Sequence, residues 1–213
     1  LLSSLITSCI WSVKFFKTSS SFLIEILWKP SAFGNWLNND LPTGQKGFVP
    51  NKNYYDRIYG KKRWKSLTNL SLSIGQDALL TTPIQMANMT AAIANRGYYY
   101  TPHIIKKIES DSIESRFKTK IYTEIDSSYF DIVIKGMQEV VENKELGTSN
   151  IAKMDDVTVC GKTGTAQNPH GKDHSIFIGF APKDKPKIAL AVYVENGGWG
   201  STWAVPIGSL MIE

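Results

Sequence analysis

A lysine set between hydroxyls and glycines is the group in this chain best suited to chemistry: Gly161-Lys162-Thr163-Gly164-Thr165. What needs explaining is why a lysine at the edge of a sheet is flanked by two hydroxyls and two glycines. Glycine inside a strand-like run is usual where another backbone or a ligand comes close. The run VTVC at 157–160 alternates like a strand and leads into this polar element; the turn NPHGKD follows, and then a second apolar run, HSIFIGF. Two strand-like segments around a Pro/Gly/Asn turn read as a hairpin, with the lysine at the edge of the sheet. For a bare Lys-Thr-Gly, a hairpin with a solvated lysine is the plain alternative.

The other candidates for chemistry are quickly narrowed. Cys9 and Cys160 are too few for a disulfide scaffold and offer no metal-ligand pattern, so no cofactor is expected. Cys160, inside a strand-like run, is expected to be a small buried hydrophobe. Gly161–Thr165 lacks the spacing and the preceding glycines of a phosphate-binding loop. The net charge is +5, but apart from Lys61-Lys62-Arg63 and Lys106-Lys107 the basic residues are scattered. A nucleic-acid surface is not indicated; an acidic surface or polymer accounts for so modest an excess.

The elements that must position the lysine follow from length and pattern. With 213 residues there is chain enough for one substantial core, or for one core and a small lobe. No run reaches the 18 or more apolar residues of a spanning helix. The chain starts without methionine and stops inside a helical pattern, so it is expected to be a fragment, with any anchor outside it. Residues 1–32 have no clean period; helix is a weak preference for the first ten. From Trp28 to Gly60 the composition turns to Gly, Asn, Pro and Tyr, which predicts a long surface connection with short extended pieces.

The clearest helix start follows Leu80. Thr82 can cap it, Pro83 fits the first turn, and Gln85 completes a capping box. Met86, Met89 and Ile93 share a face, and Gly97 can take the left-handed position after the end. A second helix is predicted from Ser128 to Asn143, with Ser128 and Asp131 at capping-box spacing. Its apolar face is Phe130, Val133, Ile134, Met137, Val140 and Val141. Strands are predicted at Val157–Cys160, Ser175–Phe180 and Ile188–Val194, the last covered on both faces, and a helix begins near Pro206. Helices followed by three closely connected strands and a helix give an α+β fold, an antiparallel sheet with helices packed across it.

These blocks carry a resemblance. Lys162-Thr163-Gly164 with Thr165 matches the Lys-Thr-Gly motif of penicillin-binding proteins and serine β-lactamases. KTGTAQ, then DHSIFIGFAP, the upstream SIGQ and TTPIQMANMTAAIANRG, and the terminal WGSTWAVPI resemble the class B, elongation-type penicillin-binding protein 2 family from about Phe33 to Glu213. The resemblance implies the C-terminal part of a D,D-transpeptidase domain, here incomplete. The parent would be anchored in the bacterial cytoplasmic membrane and face the periplasm. Such enzymes cross-link peptidoglycan stem peptides ending in D-Ala-D-Ala through a serine acyl-enzyme, and β-lactams acylate the same serine. Implied partners are elongation-complex membrane proteins, including a glycosyltransferase.

In the matching roles, Lys162 supplies positive charge beside the site, Thr163 and Thr165 bring hydroxyls toward the donor carboxylate, and the Thr165 N–H is one arm of an oxyanion hole. Gly164 leaves room for the peptide, which can add along the strand. Strict alternation would put Lys162 and Thr163 on opposite faces, a point that sequence alone does not resolve. His174 is expected as a structural or site-wall residue rather than a base. Trp199 and Trp203 are expected as packing residues near the site.

The pattern departs from the family at its front. The nucleophile motif Ser-x-x-Lys has its only match at Ser115-Arg-Phe-Lys118, in the wrong place, so the nucleophile serine is expected to lie outside the chain. Thr7-Ser8-Cys9-Ile10 resembles Thr-Ser-Cys-Asn with isoleucine for asparagine, which makes Ser8 the candidate proton-relay serine. Residues 1–32 read as a degenerate or frame-disrupted segment, and 33–213 as the C-terminal part of the transpeptidase domain. The chain alone is expected to be inactive. Loss of the missing segment should expose the apolar faces of the helices after Thr82 and Ser128. The competing readings are a non-enzymatic stem-peptide or cell-wall-protein binding module, and a β-lactamase or D,D-carboxypeptidase.

Overall fold

The computed structural model describes residues 33–213 apart from 62 and 107–112. Ser8 and the expected irregular segment 1–32 therefore lie outside the described residues.

The stretch from Trp28 to Gly60, expected to be one long connection, holds a helix, α1 (Lys52–Tyr59), and a second, α2 (Ser66–Ser73), follows it. Asn51 starts α1, its Oδ1 accepting the Tyr54 N–H at 3.0 Å. Tyr55 buries its ring, and its hydroxyl donates to Asp77 at 2.5 Å. The Trp64 indole N–H donates to Asp56 at 2.9 Å. Helix formation here comes from aromatic packing, which a count of Gly, Asn and Pro does not register.

α3 (Pro83–Ala94) begins as its sequence predicts, with Thr82 as N-cap, Pro83 in the first turn and the full capping box to Gln85. Its fully buried residues are small or polar. Gln85, Asn88, Thr90, Ala92 and Ala94 are buried, while Met86, Met89 and Ile93 are half-buried. The Gln85 amide reaches the carbonyls of Asn35 at 3.1 Å and Lys46 at 3.0 Å, which ties the 33–47 segment down on the helix. At the far end Arg96, not Gly97, takes the first left-handed position (φ 57°), and Gly97 follows at φ 112°. The Gly97 N–H closes the end on the Ala92 carbonyl at 2.8 Å.

β1 (Tyr98–Tyr99) pairs antiparallel with β2 (Ile121–Tyr122), and the short helix α4 (Ser115–Lys118) lies between them in sequence. α5 (Ser128–Glu142) buries Phe130, Ile134, Met137, Val140 and Val141, as its periodicity predicts. The predicted capping pair does not form. The Ser128 N–H instead donates to Asp126 at 2.9 Å, and Asp131 pairs with Arg96 at 2.8 Å, which joins α5 to the end of α3.

The main sheet is antiparallel in the order β3 (Cys160–Ala166), β4 (His174–Ala181), β5 (Ile188–Val194). Val157–Val159 precede β3 rather than forming it, and the polar run Lys162–Thr165 is itself strand. A ladder of backbone bonds to β4 from Cys160 opposite Phe180 to Ala166 opposite His174 holds it extended, and this requires no apolar side chains. On one face Phe177, Leu190 and Val192 pack with Val205 of α6 (Ala204–Ile212). On the other, Cys160 and Phe180 pack with Phe130, Ile134 and Met137 of α5. Cys160 is fully buried and free, the small hydrophobe expected. The arrangement is the α+β fold that the pattern implies, helices on both faces of an antiparallel sheet.

Candidate functional site

Cross-strand neighbours share a face, so the register sorts the residues of β3. Lys162 lies opposite Ile178, on the face that Cys160 turns to α5; Thr163 lies opposite Phe177, on the face turned to α6. Alternation is therefore obeyed, and the lysine reaches the other residues by bending. Its ammonium curls round the strand edge and donates to the Thr163 carbonyl at 2.7 Å. Burial holds the Lys162 amine below its ordinary pKa.

β3 pairs with β4 on one side only among the described residues. Within a strand the N–H and C=O of one residue point to the same side. The Thr163 and Thr165 carbonyls both accept from side chains rather than from β4, Thr165 taking the Gln76 amide at 3.3 Å. The N–H groups of Thr163 and Thr165 accordingly line the same open edge. An ammonium, two hydroxyl-bearing residues and outward main-chain donors meet along one rigid strand, an arrangement able to hold an anionic, extended ligand.

Residues that sequence reasoning did not single out complete the surroundings. Thr148 Oγ1 lies 2.8 Å from Thr163 Oγ1. Thr148 is set by a tight turn in which the Asn150 side chain caps the end of α5, donating to the carbonyls of Val141 at 2.9 Å and Asn143 at 2.8 Å. Gly147 is required there, since a Cβ would stand 2.3 Å from the Asn143 carbonyl. Gly200 brings the loop before α6 onto the strand: a Cβ would lie 2.6 Å from the Gly164 oxygen and 3.1 Å from Thr163 Cβ. That loop is fixed by Ser175, fully buried, whose hydroxyl donates to the Trp199 carbonyl at 2.9 Å and accepts the Ala204 N–H at 3.1 Å. A hydroxyl 15 residues from its partner leaves no local signal in the sequence.

Gly164 has a different reason from its neighbours. A Cβ there would only brush Ile176 at 3.3 Å, so packing within the sheet does not strictly demand glycine. His174, opposite Ala166 at the end of β4, is occupied structurally: its Nδ1 accepts the Asn196 N–H at 3.1 Å and its ring lies 5.2 Å from Tyr193. Trp199 and Trp203 are exposed, 74% and 57%, rather than packed, because the loop is held by its backbone and by Ser175. Helix α4, which carries Ser115 and Lys118, engages other parts: Arg116 donates to the Asn38 carbonyl at 2.6 Å, and Phe117 stacks on His103. Among the described residues no group of three or more His, Cys, Asp or Glu could hold a metal ion, and no helix is long and apolar enough to cross a membrane.

Comparison with known proteins gives a consistent answer. The penicillin binding protein transpeptidase domain family matches residues 28–213. The peptidoglycan D,D-transpeptidase MrdA of Acinetobacter baumannii is 32% identical over 191 residues, covering 81% of this chain and 28% of the relative. MrdA of Haemophilus influenzae is 30% identical over 207 residues, 84% of this chain and 32% of the relative. The chain thus spans about a third of the length of the curated relatives it matches. Among solved structures, Pseudomonas aeruginosa PBP2 in complex with WCK 5153 superposes with a TM-score of 0.80 at 29% identity, covering 98% of this chain and 44% of that one. The Helicobacter pylori PBP2–MreC complex gives 0.74 at 26% identity, covering 99% and 36%. With its lysine-bearing strand edge, its sheet and its helices all inside the matched span, the chain belongs to the penicillin-binding protein transpeptidase domain family, and within it to the class B, PBP2-type peptidoglycan D,D-transpeptidases.

Proposed function

We propose that this chain supplies the strand-edge half of a transpeptidase site, the half that grips the carboxylate end of a stem peptide ending in D-Ala-D-Ala. The observation that carries this reading is the outer edge of β3, where the Thr163 and Thr165 carbonyls take side-chain donors, Lys162 at 2.7 Å and Gln76 at 3.3 Å, so that the N–H groups of the same two residues lie on that edge. In the parent enzyme the serine oxygen attacks the penultimate D-Ala carbonyl, the peptide C–N bond breaks, and terminal D-Ala leaves with the proton on its amine. An amine of a second stem peptide then attacks the acyl-enzyme. The Thr165 N–H donates to the oxygen that becomes negative in the tetrahedral state, a rigid donor costing little reorganisation. Lys162 and the Thr163 and Thr165 hydroxyls hold the terminal carboxylate, and Gly164 keeps the strand low beneath the peptide. β-Lactams, which carry a carboxylate beside a reactive carbonyl, fit the same edge.

The nucleophile belongs to another part of the parent. Ser115-x-x-Lys118 sits on a helix engaged with Asn38 and His103, so it is a poor substitute for the family's Ser-x-x-Lys. Ser8 is the candidate proton-relay serine, residues 1–32 are a degenerate or frame-disrupted stretch, and 33–213 are the C-terminal part of the domain. The parent acts on the periplasmic face of the cytoplasmic membrane with elongation-complex partners, among them a glycosyltransferase; the PBP2–MreC pairing in Helicobacter pylori supports membrane-complex partnering. By itself the chain binds the peptide without turning it over.

The test has two arms. Diacetyl-L-Lys-D-Ala-D-Ala titrated into the 15N-labelled chain should shift the amides of Thr163 and Thr165, and Lys162→Met should abolish the response. A labelled penicillin should leave no adduct that survives denaturation. Unmoved amides would remove the edge-binding reading, and an adduct mapped within residues 1–213 would overturn the placement of the nucleophile.

A further inference from the structure

The outer edge of β3 is already occupied by the chain's own side chains. Thr163 and Thr165 present the outward carbonyls, and each has a donor: Lys162 on the first at 2.7 Å, Gln76 on the second at 3.3 Å. The two donors differ in origin. Lys162 belongs to the strand, whereas Gln76 comes from 89 positions away, on the turn that follows α2. An unpaired strand edge invites pairing, and folds commonly blunt such edges with side chains.

The turn is built to present this one side chain. Gly75 and Asp77 on either side of Gln76 are both left-handed, at φ 80° and 68°. The Gly75 and Gln76 N–H groups are held by the Leu72 and Ser71 carbonyls at 3.0 and 3.1 Å. The Asp77 carboxylate takes the Tyr55 hydroxyl at 2.5 Å. These anchors are all on α1 and α2, so the Gln76 carboxamide can leave the strand without unseating the turn. A Cβ at Gly75 would meet nothing within 4 Å, which leaves open space beside the turn.

Resting on the reading that the β3 edge takes an extended peptide, we propose that the Gln76 carboxamide stands in for a ligand N–H at the Thr165 carbonyl and is displaced when a peptide adds to the strand. A ligand that brings an amide N–H to that carbonyl replaces the lost bond. One lacking it leaves the carbonyl without a partner, so Gln76 makes the edge selective for peptide-like donors over compounds that carry only a carboxylate.

The experiment follows the Gln76 side-chain NH2 resonances of the full 15N-labelled chain during titration with diacetyl-L-Lys-D-Ala-D-Ala, with Gln76→Ala and Gln76→Met titrated alongside. At saturation the NH2 resonances should move to those of a solvated glutamine. Both variants should bind about 2- to 10-fold tighter, the value of one net hydrogen bond no longer displaced. Peptide that shifts the Thr165 amide while the Gln76 resonances stay in place overturns the proposal. So does equal or weaker binding by both variants, which would make Gln76 a support for the strand. If neither the wild-type chain nor the variants show any shift at Thr163 and Thr165, the edge-binding reading itself fails, and this inference with it.

Discussion

The ring of Phe177 tests how the sheet beneath the site is held. It is fully buried and lies opposite Thr163 in the register. Glycines meet it on three sides. A Cβ on Gly161 of β3 would stand 2.5 Å from its Cε2 and Cζ, one on Gly179 would be 3.0 Å from its Cε1 and Cζ, and one on Gly208 of α6 would be 2.5 Å from its Cδ1. The ring has backbone against both its β3 side and its α6 side, so it has no free direction in which to retreat. Gly208→Ala should gain about 1 kcal/mol from helix propensity and lose about 1–3 kcal/mol to overpacking, a net loss of roughly 1–2 kcal/mol given how short the contact is. Urea unfolding of the full chain, followed by far-ultraviolet circular dichroism, measures it. Phe177→Leu destabilises by itself, but in that background Gly208→Ala should cost nothing or stabilise, a coupling of about 1–3 kcal/mol. If Gly208→Ala is as stable as the wild type, or if the two changes add, the notch around Phe177 is not what fixes the distance between α6 and β3.

Two ionisable groups on one face of β3 should titrate with opposite sign. Burial pushes the Cys160 thiol up to about 12 from 9.0, so its contribution is whole below pH 9 and is lost as the pH rises toward 12; above pH 9 the wild type should lose roughly 1.4 kcal/mol per unit more than Cys160→Ala in thermal unfolding. Lys162 is lowered from 10.5 by burial, so folding is penalised at neutral pH and relieved as the pH rises toward 10.5; Lys162→Met should have the higher midpoint at pH 7, with the advantage shrinking in alkali. Gln85→Leu would strand the Asn35 and Lys46 carbonyls and the Thr82 N–H, costing about 3 kcal/mol or more in the same urea assay. Thr148→Val should weaken peptide binding by about 2- to 10-fold with stability changed by less than about 0.5 kcal/mol, and Thr148→Ser should restore it, as read by the Thr163 amide shift.

What the sequence made legible was local. The capping box at Thr82 and the apolar face of α5 depend on residues three or four apart, and both are present as read. The boundaries of β3 were not legible: the predicted strand ended at Cys160, whereas backbone pairing to β4 begins there and sustains an extended strand through Lys162–Thr165. α1 hid behind a composition that suits loops, its stability coming from Tyr55, Trp64 and the Asn51 cap. Of the site, the Lys-Thr-Gly run stood out at once. Thr148, Gln76 and Ser175 did not, since each acts across 15 to 89 positions and each is an ordinary polar residue in its own neighbourhood.

Alternation looked like an obstacle to the site and is part of how it works. One face of β3 carries Gly161, Thr163 and Thr165; the first makes room for Phe177 and the others bring hydroxyls to the rim under the Gly200 loop. The other face carries Cys160, Lys162 and Gly164, of which the first is sealed against α5 and the last stays small. Only an edge strand lets a lysine on one face reach round to the outward carbonyl of the next residue, since an interior strand would put a neighbour's backbone in the path. The same open edge is what an extended peptide requires. Sealing the β3 edge would therefore deny Lys162 its route round the strand and, on the proposed reading, deny an extended peptide its hydrogen bonds in one stroke, so that reading requires charge and main-chain recognition to be lost together.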